Sequence, residues 1–373
     1  MARPLYLRSR EKLIASVRWM LRFVGFIGLV CLSAAGARAD VTISTGKLSE
    51  EVVDYTTGGD DQLAFIRYFY SLGPQYFGPL ASLGVNWRSN YSRRLVFITN
   101  PAIIVFEEAN GDVVRFKIGD GIGTSDDNTD LTLRKSDDTW VLKDKDGTET
   151  SFGPPDSSDR AHIATIKAPN GYTQTLSYNP QYQLTAVTDS HGRTLTFTYT
   201  GSALNTLTTP DGLVLSYTFD SKSAMRDYRL ASMHYSTGDQ EKSRSYAYEN
   251  PMFDSLLTGV LDGTGKRLAA WTYDRYGRCI SSEHAGGADL TKIRYDIDED
   301  NNPINTVTNA LGDTTVYKFK KFQDVPKIVE IDRVASAARP ATTVTFTYDA
   351  NGHLINETDA ATTDPFRPQF KSP

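Results

Sequence analysis

The chain has 373 residues, 20 Tyr, 17 Phe and only two Cys, with 40 Lys and Arg against 45 Asp and Glu. The acidic balance disfavours nucleic acid and anionic membrane as partners, because phosphate binding needs clustered cations. One cysteine, Cys31, lies near the N-terminus, so Cys279 is left without an intramolecular disulfide partner and packing must supply the stability.

Residues 1–39 read as a secretory leader. Arg3, Arg8, Arg10, Lys12, Arg18 and Arg22 precede an apolar run from Phe23 to Leu32, and Ala37-Arg38-Ala39 offers a small-residue exit with cleavage after Ala39. A retained anchor is the alternative, although the run is short for a bilayer. Lipoprotein-type cleavage at Cys31 is disfavoured by Val30 before it. Removing the leader leaves 33 Lys and Arg against 44 Asp and Glu, a formal charge of −11. The expected location is therefore outside the cytoplasm: secreted, periplasmic or at the cell surface.

Residues 40–155 form an opening β domain. It carries Leu63-Ala-Phe-Ile-Arg-Tyr-Phe-Tyr70, then Leu83-Gly84-Val-Asn-Trp87, then two β phrases at Asn110–Phe116 and Asp146–Phe152. A polar loop is expected from Gly119 to Asp130, and Gly153-Pro154-Pro155 closes the zone with residues that cannot continue a central strand.

From 156 to 357 a phrase recurs: a turn glycine, alternating residues, and an aromatic seven positions on. Gly171 leads to Tyr178, Gly192 to Tyr199, Gly212 to Phe219 and Gly312 to Phe319. Tyr178, Tyr199 and Phe219 are 21 and 20 residues apart, and such a period marks stacked structural repeats. Period-2 alternation predicts strands with one buried face, so the closing aromatics are expected at strand ends and mostly buried. A second signature aligns Tyr273-Asp274-Arg-Tyr-Gly277-Arg278-Cys-Ile280 with Tyr348-Asp349-Ala-Asn-Gly352-His353-Leu-Ile355. Here Tyr closes a strand, Asp-x-x-Gly turns the chain and Ile begins the return. Tyr295-Asp296 keeps the first pair, with Asn302 near the glycine position. The wider spacing from Phe219 to Tyr248 predicts an inserted loop around Met225–Gly238, and residues 358–373 read as a polar tail.

These phrases resemble the YD repeat of the Rhs family, seen also in teneurins and in the cocoon subunits of bacterial Tc toxins. Arg67-Tyr-Phe-Tyr70-Ser71 followed by Leu83-Gly84-x-x-Trp87 is similar to the N-terminal Rhs-type domain, with Val85-Asn86 departing from its second glycine pattern, and Trp140-Val-Leu142 fits its pre-repeat segment. The resemblance covers residues 40–357 and implies an all-β fold: stacked antiparallel hairpins forming part of a curved or spiral β shell. The family's core segment and C-terminal effector have no counterpart here, so no family catalytic residue can be carried over.

The chemistry-bearing residues point away from catalysis. His162, His191, His234, His284 and His353 are dispersed, with His191 and His353 at turn positions expected to be plain exposed polar residues. No nucleophile elbow or phosphate loop is present. Cys279 sits inside a YD phrase without a fixed base and reads as packing or surface. Asp296, Asp298 and Asp300 begin like a calcium loop, but Asn301 and Val307 stand where Gly and Glu are needed, so a solvated turn is expected. Asp126, Asp127 and Asp130 receive the same reading. Tyr76, Phe77, Tyr228 and Phe253 are out of phase and are candidates for a sugar-stacking surface.

The expectation is a non-enzymatic exported scaffold with no cofactor and no metal, resembling the shell portion of a toxin-delivery protein. A secreted adhesin or carbohydrate-binding module is the alternative. Expected partners are a downstream or separate effector or shell protein, a cell-surface glycan, and other copies of the chain through an uncovered edge near Val344–Tyr348; nucleic acid is not among them.

Overall fold

The computed structural model describes residues 29–34, 37–72, 81–98, 102–125, 130–220, 228–237, 240–322, 325–337, 340–350 and 352–359. The basic lead and most of the apolar run of the leader, Asp126, Asp127 and the tail from 360 lie outside them. Among the described residues the fold is all-β, with two single-turn 3-10 segments at Ala81–Leu83 and Ala285–Gly287. The strands fall into two compact units: a larger one holding Thr45–Lys292 and a smaller one holding Thr42–Ser44 and the residues from Ile293 onward.

In the larger unit, strands Arg94–Ile98, Ile103–Glu107, Val113–Gly119, Ile122–Ser125, Thr132–Ser136, Thr139–Lys143, Glu149–Phe152 and Arg160–Lys167 pair antiparallel in chain order. Arg160, Ala161 and His162 then pair back onto Val96, Leu95 and Arg94, closing an eight-strand ring. Leu95, Phe106, Phe116, Phe152 and Ile163 alternate into its buried side. The first part of the segment expected as a polar loop, through Ser125, instead forms a hairpin: Asp120 and Gly121 both take positive φ, the conformation a tight hairpin turn needs.

The last strand of the ring serves twice. Its second half, Thr165–Lys167, pairs with Thr173–Tyr178 and starts a ladder of hairpins that runs through the repeat region. The segment expected as an insertion near Met225–Gly238 contributes the strand Arg229–Thr237, paired on both sides. A β-rich Arg-Leu-Ala-Ser-Met-His-Tyr phrase with Leu230 and Met233 facing the core explains why pairing wins there.

One turn design repeats. Asp189 accepts the amides of His191 and Arg193 on Oδ1 at 3.0 and 2.9 Å, and Oδ2 accepts Arg193 Nε at 2.7 Å. Asp274 does the same with Tyr276, Arg278 and the Arg278 guanidinium. Asp349 takes the amide and the Nδ1 of His353. Each aspartate thus replaces backbone partners across the turn, and the basic residue neutralises it. The fourth turn position lies at positive φ, which Gly192 and Gly277 adopt without a Cβ penalty. The same conformation holds at Gly171, Gly212, Gly312 and Gly352. In the acidic run the turn aspartate is Asp298, two residues beyond the Tyr295-Asp296 pair. Asn301, not Asn302, takes the glycine role at φ 61°.

A second device closes each strand. At Tyr178, Tyr199, Phe219, Tyr273, Phe319 and Tyr348 the register slips by one residue immediately before the aromatic. The bulged residue on the return strand is Ile280 or Ile355 in the YD phrases, so those strands begin one residue earlier, at Cys279 and Leu354. The slip aims the phenol backwards. Tyr178, Tyr199, Tyr273 and Tyr348 donate to the carbonyls of Ile163, Leu184, Leu257 and Ile328 at 2.6–2.9 Å. Phe319 and Tyr273 are buried, whereas Tyr178, Tyr199, Phe219 and Tyr348 are half-buried. Full burial belongs to the positions two residues earlier, such as Leu176, Phe197 and Tyr217, because the bulge lifts the closing ring toward the rim.

In the smaller unit, hairpin strands Pro303–Thr308, Thr314–Phe322, Val325–Arg333, Thr342–Tyr348 and Leu354–Asp359 pair in order. Phe319, Ile328, Val344 and Phe346 are buried, and the buried Asn305 donates its amide to the Ile43 carbonyl at 2.7 Å. Thr342–Tyr348 is paired on both sides, so the terminal position expected for it belongs to Leu354–Asp359, whose six residues are all exposed.

Candidate functional site: a buried arginine bolt

The opening phrase around Arg67 builds the most chemically loaded part of the larger unit. Strand Lys47–Thr56 alternates so that Leu48, Glu50 and Val52 point inward; strand Ala64–Tyr70 does the same with Phe65, Arg67 and Phe69. A register slip between Val53 and Tyr55 leaves Asp54 in a bulge. That bulge re-aims the carboxylate at Arg67.

Arg67 is fully buried, which requires a partner for its charge. It grips Asp54 with both Nε and Nη2, the latter to Oδ1 at 2.7 Å. Its Nη2 also donates to the Tyr246 hydroxyl at 2.7 Å, and Tyr217 donates to Asp54 Oδ2 at 2.8 Å. Three aromatic rings surround the guanidinium, with the Trp87, Tyr246 and Tyr217 centroids 5.0, 5.4 and 5.6 Å away. Burial is the largest single influence and opposes the Arg67 charge, but the Asp54 carboxylate, Tyr246 and Tyr217 together outweigh it and hold the guanidinium's pKa well above its ordinary value. Tyr217 and Tyr246 belong to the repeat ladder, so this ion pair bolts the opening sheet to the repeat wall.

Trp87 extends the bolt. Its indole donates to the Tyr248 hydroxyl at 2.9 Å, which donates to the Leu230 carbonyl. Gly84, at φ 86°, lets the chain approach the ladder so closely that a Cβ would stand 2.7 Å from the Tyr228 carbonyl oxygen. The Val85 amide uses that same oxygen at 2.9 Å. The Leu83-Gly84-x-x-Trp87 phrase is thus a docking element. Tyr228 packs edge-on against Phe219 and donates to Ser202, and Phe253 is half-buried. Tyr76 and Phe77 lie outside the described residues.

Glu50 sits on the same inner face, 2 % exposed, with Oε2 lacking a hydrogen-bond partner. Burial raises its pKa to about 7, against the opposing pull of Arg244 and Arg67. Nothing in the sequence separates Glu50 from its neighbour Glu51, which is exposed; only strand phase does. Asp54, Tyr217 and Tyr246 also escaped the sequence reading. For Asp54 the one available signal was a carboxylate inside a strand-patterned phrase.

The residues singled out for chemistry are placed apart. His191 is not a plain turn residue: its Nε2 lies 3.0 Å from Asp61 Oδ2 and its ring stacks on Tyr172. His353 pairs with its turn aspartate. Cys279 is buried, and burial pushes its thiol up to about 12, so it stays protonated at neutral pH. The structure brings Glu50, Asp54, Arg67 and their tyrosines together as an anchor, with Gly171, Gly192, Gly212, Gly277, Gly312 and Gly352 holding turns and the closing aromatics holding strand ends.

No curated protein matches the chain. Among solved structures, the TcdB2-TccC3-Cdc42 complex is similar over 84 % of this chain at 10 % identity and a TM-score of 0.24; the chain spans 23 % of the length of that one. A porin-like protein from Bacteroides uniformis ATCC 8492 is similar over 59 % of this chain and 96 % of its own, at 14 % identity and a TM-score of 0.22. Residues 39–116, which contain Asp54, Arg67 and Trp87 and the first strands of the ring but not the ladder tyrosines that complete the bolt, match the family described as Domain of unknown function (DUF6531).

Proposed function

We propose that the chain is an exported, non-enzymatic β scaffold of the Rhs-like kind, forming wall for a larger assembly that holds an effector or a second shell protein. The observation that supports this reading is the bolt: a sheet seated through a buried ion pair and a cation–aromatic cluster onto a repeat ladder, an arrangement that stiffens a wall. The YD turns and bulged tyrosines agree, since each is a device for propagating a ladder. The leader, cleaved after Ala39, would carry the protein out of the cytoplasm.

The test is expression of residues 40–373 alone and together with the polypeptide encoded next to it. The scaffold reading expects self-association of the lone chain, and protease protection of the neighbour when the two are co-expressed. A stable monomer at tens of micromolar that protects nothing overturns it.

A further inference from the structure

We propose that Lys320 and Lys327, with the apolar surface of Phe322 and Val325 beside them, form a docking site for an acidic segment of a partner polypeptide. The two lysines stand directly opposite each other in the register of strands Thr314–Phe322 and Val325–Arg333, so both side chains leave the same face. Like charges in that arrangement destabilise a sheet. Elsewhere on the same face the sheet neutralises its lysine: Lys318 pairs with its cross-strand neighbour Glu330 and lies 3.1 Å from Asp332 Oδ2. Among the described residues Lys320 and Lys327 have no acidic partner. A repulsion kept where one glutamate would remove it points to a charge supplied from outside.

An apolar ledge adjoins the two ammonium groups. Phe322 and Val325 are the next cross-strand pair on that face. The Lys320 Nζ lies 6.0 Å from the Phe322 ring centroid, and the ring rests on Tyr348, 5.3 Å away at 48°. Tyr348 is itself tied by its hydroxyl to the Ile328 carbonyl at 2.8 Å. Gly352 closes in from the following turn, where a Cβ would stand 3.4 Å from Phe322 Cβ and 3.7 Å from Lys327 Cε. The aromatic is thus backed from within, while Val325 is 45 % exposed. Such a ledge offers apolar contact with little left to order on binding.

The surroundings select the occupant. With residues 1–39 removed the chain carries a formal charge of −11, so the lysine pair is an island of opposite sign on an acidic protein. It attracts carboxylates and rejects a basic surface. A phosphate backbone or an anionic lipid surface takes larger clusters of Lys and Arg, and here Lys321 alternates to the other face. An ammonium accepts a carboxylate from several directions, whereas the ledge asks for an apolar side chain at a set distance from it. In an extended segment, residues two apart share a face. The partner segment therefore carries Asp or Glu two positions from a large apolar residue.

The test titrates the leader-free chain into labelled peptides repeating Glu-Ser-Leu-Ser, Gln-Ser-Leu-Ser or Lys-Ser-Leu-Ser, followed by fluorescence anisotropy. Vesicles of mixed anionic and neutral phospholipid are sedimented with the chain in parallel. Only the Glu peptide should bind, about threefold more weakly at about 200 mM than at about 50 mM salt. Lys320→Glu should weaken that binding about tenfold. It should also raise the melting temperature by about 1–3 °C, because a repulsive cross-strand pair becomes an attractive one. Val325→Ser should weaken binding about threefold. Absence of Glu-peptide binding, equal binding of the Gln peptide, capture by the vesicles alone, or unchanged binding in either variant overturns the proposal. So does a lower melting temperature in Lys320→Glu, which would make Lys320 a structural residue. The lone chain and synthetic peptides supply this readout, so it can fail while a co-expressed neighbour is still protected, and hold where none is.

Discussion

Tyr217 donates its hydroxyl to Asp54 at 2.8 Å across 163 residues of sequence, and through that carboxylate it reaches Arg67. The bond ties the first long strand of the chain to the middle of the repeat ladder. Removing one charge of this pair leaves the other buried and unmatched. Arg67→Ala or Asp54→Ala should therefore destabilise by roughly 3–5 kcal/mol. Arg67→Met with Asp54→Leu should recover most of that loss, because the paired cost of desolvation disappears with the pair. Chemical denaturation of the three variants checks this; a double variant as unstable as the singles would show that the charges themselves are required.

The closing tyrosines predict a graded series. Tyr199→Phe removes only the bond to the Leu184 carbonyl and should cost about 1 kcal/mol. Tyr199→Ala also empties the bulge and should cost about 3 kcal/mol. His191→Asn gives up an exposed contact with Asp61 and should cost under about 1 kcal/mol. Denaturant melts that ranked His191→Asn above Tyr199→Ala would reverse the roles of turn and strand end.

Two glycines with positive φ should respond differently to the same change. Gly192 has open space around a new Cβ, so Gly192→Ala costs only backbone strain, about 1 kcal/mol. At Gly84 the Cβ would meet backbone atoms of Tyr228 and Leu230 at 2.7 and 3.0 Å. Gly84→Ala should unseat the Trp87 phrase as well, seen as a loss of near-ultraviolet dichroism and early proteolysis of the opening strands. Similar melts and dichroism for both variants would contradict the docking role of Leu83-Gly84.

Glu50 sets a pH dependence. Its pKa rises from 4.5 unfolded to about 7 folded, so the native state binds the proton more tightly. Its stabilising contribution is complete below pH 4.5 and is lost as pH rises through 7, amounting to at most about 3 kcal/mol. Glu50→Gln keeps a neutral side chain at every pH. It should flatten the stability profile between pH 5 and 8 and be most stabilising at the alkaline end. An unchanged profile in Glu50→Gln would assign the dependence elsewhere.

The amino-acid pattern by itself determined the local structure. Asp-x-x-Gly-basic encodes a turn because one carboxylate can take two nearby amides and a nearby cation, all within five residues. Alternation ending in an aromatic encodes a strand because a pleated chain sends every second side chain to one face. Both rules need only neighbours in sequence, and the β class and the repeats followed from them. The phrase Asn301 for glycine, the strand at Arg229–Thr237 and the bulges were less legible, since a one-residue register change leaves composition untouched. What only the tertiary structure decided is which charges are inside. Glu50 and Glu51 are adjacent and identical, yet strand phase buries one beside Arg244 and exposes the other. Asp54, Tyr217 and Tyr246 meet Arg67 because the ladder carries distant strands to the opening sheet. Desolvation and pairing are properties of that meeting, and no segment holds them alone.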